Sequence, residues 1–398
     1  MRLASATLEP ALDRLLAASV AAGDVPGVAA AVTTREGTVY EAAFGQRALG
    51  HPQPMTADTV MWIASMTKPV TGVAAMQMVE EGRLALDEPA AKVIPELGLV
   101  KVLDGWDGDG RPRLREARGV ITLRNLLTHT SGFAYDIWNP DMDRYLNVME
   151  LPRAGSGRNS ALTTPLAFDP GERWEYGIGI DWAGKMVEAA SGMRLGDYMR
   201  ERIFAPLGMD STAYRITASM RARLAKVHQR AADGSLTVMD FEVNQEPEFD
   251  PGGGGLYSTA QDYQRFMRMI LNGGAAGTGR GAARVLRPDA VELMSRNAMG
   301  ALRVVALPAV RASLSCDAEF FPGVPKSWGL TFMINEAVAP TGRPAGCLAW
   351  AGLANTYFWI DPANGLAGVH MAQVLPFVDP RALAGFYAFE KGVYDALG

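Results

Sequence analysis

The sequence predicts an α/β (α+β) protein in which both ends of the chain build one sheet and the middle is a helical insertion. Three observations carry this. Short runs of β-branched and aromatic residues flank a turn near the N-terminus, similar runs return from Trp328 onward, and proline-punctuated helical segments fill the stretch between. The chain has 398 residues, enough for one large or two intertwined domains with a substantial core.

In chain order, Leu8, Leu12, Leu15, Leu16 and Val20 recur at helical spacing over residues 8–22, and Gly23 sits where that helix should stop. Val28–Thr34 and Thr38–Phe44 lie either side of Arg35-Glu36-Gly37 and predict a hairpin. A helix begins near Ser65 and ends at Gly82. From there to about residue 245 the pattern is helical segments and long loops, broken by Pro89, Pro95, Pro112, Pro140, Pro152, Pro165, Pro170 and Pro206. The basic stretch Arg111–Arg124 contains Glu116 and follows Asp104, Asp107 and Asp109, which suits a solvated loop. Trp328–Ile334, Cys347–Gly352, Tyr357–Asp361 and Gly365–Leu375 predict strands, and Arg381–Leu397 a closing amphipathic helix. Residues 1–65 and 250–398 therefore form a discontinuous sheet domain and 66–249 a mostly helical one. The cleft between them is the expected active site.

Composition narrows the function. Hydrophobic residues make up 48% and charged residues 20%, ordinary for a globular enzyme. A net charge of −5 with mixed signs points to neither nucleic acid nor an anionic membrane. Cys316 and Cys347 allow at most one disulfide. The first residues carry no apolar leader and no run is long enough to span a bilayer, so a cytoplasmic location is expected. His51, His129, His228 and His370 show no metal-ligand spacing. A Gly-x-Ser-x-Gly elbow and a phosphate-cradling glycine loop are both absent from the sequence, and no cofactor or metal is expected.

Chemistry concentrates at Ser65-Met66-Thr67-Lys68. Positions three apart on a helix share a face, so the hydroxyl and amine can touch. Pro69 directly after them favours a helix start, where free N–H groups and the positive dipole end gather. Val70, Val73, Ala74, Ala75, Met76, Met78 and Val79 make the helix apolar all round and hence buried. A desolvated lysine gives up its proton more readily and can act as base toward serine.

Further stretches join this one: Leu126-Leu127-Thr128-His129-Thr130-Ser131-Gly132, Asp169-Pro170-Gly171-Glu172-Arg173-Trp174-Glu175-Tyr176, and Gly252-Gly253-Gly254-Gly255-Leu256-Tyr257-Ser258-Thr259 with Asp262-Tyr263. In this order, over about residues 10–390, the chain resembles the serine β-lactamase and penicillin-binding-protein superfamily, and within it the family VIII carboxylesterases. The resemblance implies the class C β-lactamase-like fold: an antiparallel sheet flanked by helices, built from N- and C-terminal segments, with an inserted all-helical domain. It also implies a Ser-Lys-Tyr triad of Ser65, Lys68 and Tyr176. An ammonium beside Tyr176 is expected to lower the pKa of the phenol, letting it work as a base.

The chain departs from the lactamase pattern at two places. Tyr176-Gly177-Ile178 replaces Tyr-x-Asn, and Trp350-Ala351-Gly352 stands where Lys-Thr-Gly would be. Both changes remove polar anchors for a charged amide substrate, and Trp350 is expected to offer an apolar face. The backbone N–H groups of Ser65 and Leu353 are the expected oxyanion hole. Tyr135 either reaches the site, with Trp138 beside it as an aromatic wall, or belongs to a self-packed surface loop. Trp350, Ala351 and Gly352 complete the expected substrate contacts. His129 is expected to be a buried structural residue, and Ser131 and Ser258 turn and cap serines.

The expected function is a serine carboxylesterase acting on short-chain esters, with a small-molecule partner and an open oligomeric state. The alternatives are β-lactam hydrolysis, amide hydrolysis or acyl transfer to an alcohol on the same scaffold, and a non-catalytic ligand-binding relative.

Overall fold

The computed structural model describes residues 5–397; residues 1–4 and 398, which the predicted sheet domain includes, lie outside the described residues. Helix α1 (Ser5–Ala21) buries Leu8, Leu12 and Leu16, and the chain leaves it through Gly23 at φ +71°, a conformation that costs glycine nothing. Strands β1 (Gly27–Thr34) and β2 (Thr38–Gly45) form the predicted hairpin. Helix α2 (Thr67–Glu80) is buried over Thr67–Met78 and packs against the later helix α5 (Gly179–Ser191), as an all-round apolar helix must. Between these two helices lie α3 (Leu123–Thr128) and α4 (Pro140–Val148).

Strands also occur in the middle of the chain. They are β3 (Met61–Trp62), β4 (Val102–Trp106), β5 (Pro112–Arg115), β6 (His228–Arg230), β7 (Leu236–Val238) and β8 (Tyr257–Ser258). The insertion is thus not purely helical. The basic stretch predicted as loop pairs in part with β4, because Leu103 and Leu114 face each other across a hairpin turned at Asp107–Arg111. The last strands are β9 (Lys326–Trp328), β10 (Met333–Asn335), β11 (Leu348–Gly352), β12 (Thr356–Asp361), β13 (Leu366–Met371) and β14 (Val374–Leu375).

Seven strands, β1 and β2 with β9–β13, form the main sheet in the order β2-β1-β13-β12-β11-β10-β9, with every neighbouring pair antiparallel. Pairing of Ala29–Thr34 with Met371–Leu366 joins the two ends of the sequence directly. Side chains alternate across the sheet. Phe358 meets Tyr263 of the helix Ala260–Leu271 on one face. Tyr357 and Trp359 meet Phe386 of the C-terminal helix Pro380–Asp395 on the other. The molecule is therefore helix on sheet on helix.

Two predicted strands break. Trp328–Ile334 is a tight reversal, with Met333 opposite Trp328. Thr331 takes φ +84°, its side chain fills the space beside Gly72 of α2, and Gly329 has no room for a Cβ next to the Met294 carbonyl. Gly365–Leu375 splits into β13, which stays in the main sheet, and β14, which leaves to pair in parallel with β6. Both cysteines are free thiols.

Candidate active site

Three segments far apart in sequence meet at the start of α2. Ser65 sits in a single 3-10 turn, Ala64–Met66, and Lys68 is the second residue of the helix. Ala64 holds φ +42°, a left-handed conformation that an alanine adopts only under constraint, immediately before the serine. The constraint comes from β11. Gly352 lies so close that a Cβ there would stand 2.2 Å from the Ile63 carbonyl oxygen, so only glycine permits the approach.

Lys68 Nζ lies 2.9 Å from Ser65 Oγ, 3.2 Å from the Tyr135 hydroxyl, and donates to the Gly253 carbonyl at 2.6 Å. The amine has no exposure to solvent, and burial lowers its pKa to about 7, with Asp181 pulling the other way. Half-buried Ser65 thus faces an amine that burial makes easier to deprotonate than an exposed lysine.

Tyr176 arrives on the strand-like stretch before α5, held against the chain at 133–135 by the Tyr135 N–H to Tyr176 carbonyl bond (3.2 Å). Its ring lies under Lys68 Nζ, 4.6 Å from the centroid, and its hydroxyl neighbours Ser65. The expected lowering of the Tyr176 pKa does not occur. Burial raises it, outweighing the hydrogen bonds from Ser65 and Trp350. The phenol rests protonated and is a donor rather than a standing base.

Trp350 also departs from expectation. Its indole N–H donates to the Tyr176 hydroxyl oxygen at 2.9 Å, so it presents a polar edge to the site. Trp350, Ala351 and Gly352 do not line the cavity in front of Ser65, whereas Tyr135 and Leu353 do. The strand register explains the geometry. β10 pairs with β11 only at Leu348 and Ala349, so Trp350–Leu353 runs free past it toward the Ala64–Met66 turn. The Leu353 N–H makes no hydrogen bond among the described residues.

His129 caps α3 at φ +58°, accepts from the Gly177 N–H at Nδ1 (3.3 Å), and is kept neutral by burial. Among the described residues no hydrogen bond joins it to Ser65, and its ring packs against Tyr176, Trp174 and Trp328. Ser131 lies in the bend after α3; Ser258 is not a cap but part of β8, hydrogen-bonded to Thr212, and Thr259 caps the helix Ala260–Leu271.

The cavity measures about 300 Å³. Its walls are mainly apolar: Trp62, Ile137, Trp138, Phe241, Leu314 and Leu375. Trp62 packs against Phe241 in a tilted pair with ring centroids 4.8 Å apart, and Trp138 sits 6.0 Å from Tyr135, so the loop aromatics form a wall. At the rim, Asp136 is bound by Arg153 and Arg311. Sequence reasoning missed Asp181, a buried carboxylate in the first turn of α5 that reaches this cavity. Its only local signal was a lone acid among Ile178, Ile180 and Trp182.

A Beta-lactamase family model matches residues 12–392. The chain belongs to the β-lactamase family. Monacolin J acid methylbutanoyltransferase of Aspergillus terreus is 32% identical over 94% of this chain and 93% of its own length. Lovastatin esterase of Penicillium rubens is 33% identical over 96% of this chain and 98% of its own. The unliganded simvastatin synthase from Aspergillus terreus superposes with a TM-score of 0.83 at 30% identity, covering 98% of this chain and 100% of that one. This β-lactamase-family chain is therefore an enzyme whose relatives bear the names of acyltransferases and esterases. Two residues after Tyr176, Ile178 is buried and leaves no amide to hold an acylamide substrate.

Proposed function

We propose that the protein is a serine acyl-transfer enzyme that takes an acyl group from a small apolar ester onto Ser65 and passes it to a small-molecule alcohol. The observation that carries this is the buried Lys68 amine 2.9 Å from Ser65 Oγ at the floor of an apolar cavity. The names of the relatives support transfer at least as well as hydrolysis, so the reading is broader than a short-chain carboxylesterase.

Ser65 Oγ attacks the ester carbonyl as its proton moves to Lys68. The oxyanion is received by the Ser65 and Leu353 backbone N–H groups, a donor pair of which each is worth about 3–4 kcal/mol. The Tyr176 hydroxyl, held by the Trp350 indole, relays a proton to the leaving alkoxide, and the C–O bond breaks to leave an acyl-enzyme. The acceptor alcohol then enters along the same path, loses its proton through the same groups and carries the acyl group away.

A second reading is hydrolysis, favoured by the esterase among the relatives. Water then replaces the alcohol in the second half with no other change. Incubation with a short p-nitrophenyl ester, with and without a bulky apolar alcohol, separates the two by mass spectrometry of the products. Ser65→Ala is expected to abolish both products and the acyl-enzyme mass. A fully active Ser65→Ala protein would refute the assignment.

A further inference from the structure

We propose that Asp181 is a positioning residue that supplies the counter-charge for Lys68 and holds its amine in place through Gly253. This rests on the reading of Ser65 as nucleophile and Lys68 as its base. Gly253 is gripped at both ends: its N–H donates to Asp181 Oδ1 at 2.8 Å, and its carbonyl accepts from Lys68 Nζ at 2.6 Å. A Cβ at 253 would lie 2.8 Å from the Tyr135 hydroxyl and 2.9 Å from Asp181 Oδ2, so this backbone is wedged between phenol and carboxylate and must be glycine.

Asp181 is 2% exposed, and burial raises its pKa while Lys68 and the Gly253 N–H hold it down, because a buried carboxylate is costly unless something opposes its charge. The groups that face it are Lys68 from α2, Tyr135 from the loop after α3, Tyr176 from the stretch before α5, and Tyr214 from the segment preceding β6. The three phenols are kept neutral by burial, which leaves Lys68 as the opposing charge. The other cavity acid, Asp136, is already taken by Arg153 and Arg311. When Lys68 accepts the Ser65 proton, an ammonium forms where water cannot reach it. A fixed carboxylate nearby stabilises that ion, and the Gly253 link keeps the nitrogen on the serine.

Asp181→Asn separates the two roles, because the amide oxygen can still accept from the Gly253 N–H while the charge is gone. Ser65 labelling by a phosphonate is read by intact mass, and kcat/KM for a short p-nitrophenyl ester is followed across the neutral range. Loss of the counter-charge makes Lys68 easier to deprotonate, so the acid limb is expected to move to lower pH by about one unit. The plateau rate is expected to fall about tenfold, because the ammonium formed in the step is less stabilised. Asp181→Ser, smaller and uncharged, should show the same shift and stands in if the amide variant does not fold. No label on wild-type Ser65 would sink the nucleophile reading. Labelling of both proteins with the acid limb unmoved would overturn this inference alone.

Discussion

At the scale of single residues, the candidate site withdraws an amine and a phenol from water, and burial acts on each in its own direction. Lys68 is pushed down to about 7, and Tyr176 is pushed up. The amine must be neutral to accept the Ser65 proton, so below that pH the reactive fraction shrinks about tenfold per unit. The acid limb of kcat/KM for a short ester should therefore turn near neutrality, and Lys68→Met should lose about 10²–10⁴-fold in rate with Ser65 intact. Trp350 offers a finer test. Trp350→Phe keeps the aromatic packing but removes the indole donor to Tyr176, so kcat should drop about tenfold with KM nearly unchanged. A large rise in KM instead would return Trp350 to the role of substrate wall. Ser65 and Lys68 were legible because their contact follows from helical spacing alone. Tyr176 emerged only through resemblance, and Asp181 not at all, because nothing local tells a buried acid that it will face a lysine from another helix.

Elements decide whether those residues meet. The nucleophile turn is pressed by β11 through Gly352, whose missing Cβ lets the strand pass the Ile63 carbonyl. Gly352→Ala should push strand and turn apart. A displacement of about 1 Å at a reacting centre can cost about 10²-fold, so kcat should fall by that order with a lowered melting temperature. Unchanged kinetics would mean that β11 does not set the geometry of the site. Hydrophobic alternation located most strands, but it could not see that Trp328–Ile334 folds back on itself. That reversal depends on Thr331 docking against Gly72, a contact between positions remote in sequence. The same blindness assigned β14 to the sheet that it leaves.

Across the whole molecule, the sheet is closed by strands from both ends and clamped by the C-terminal helix. Arg343, just ahead of β11, binds Glu390 of that helix with both side chains at or below 2% exposure. Arg343→Met should strand the buried carboxylate and cost about 3–5 kcal/mol, read as a lower denaturation midpoint. The double variant Arg343→Met/Glu390→Leu should recover most of that loss, since an apolar pair needs no counter-charge. Composition and end-to-end strand patterning were enough to predict one sheet from two termini, since β propensity and period-two burial are properties of short segments. The local sequence also determined a serine with a lysine about one turn away on the same face. Only the tertiary structure decided what environment the amine, the phenol and the indole share, which walls form the cavity, and that a carboxylate joins them. Desolvation and charge pairing depend on neighbours brought in from every part of the chain, and no window of sequence contains them.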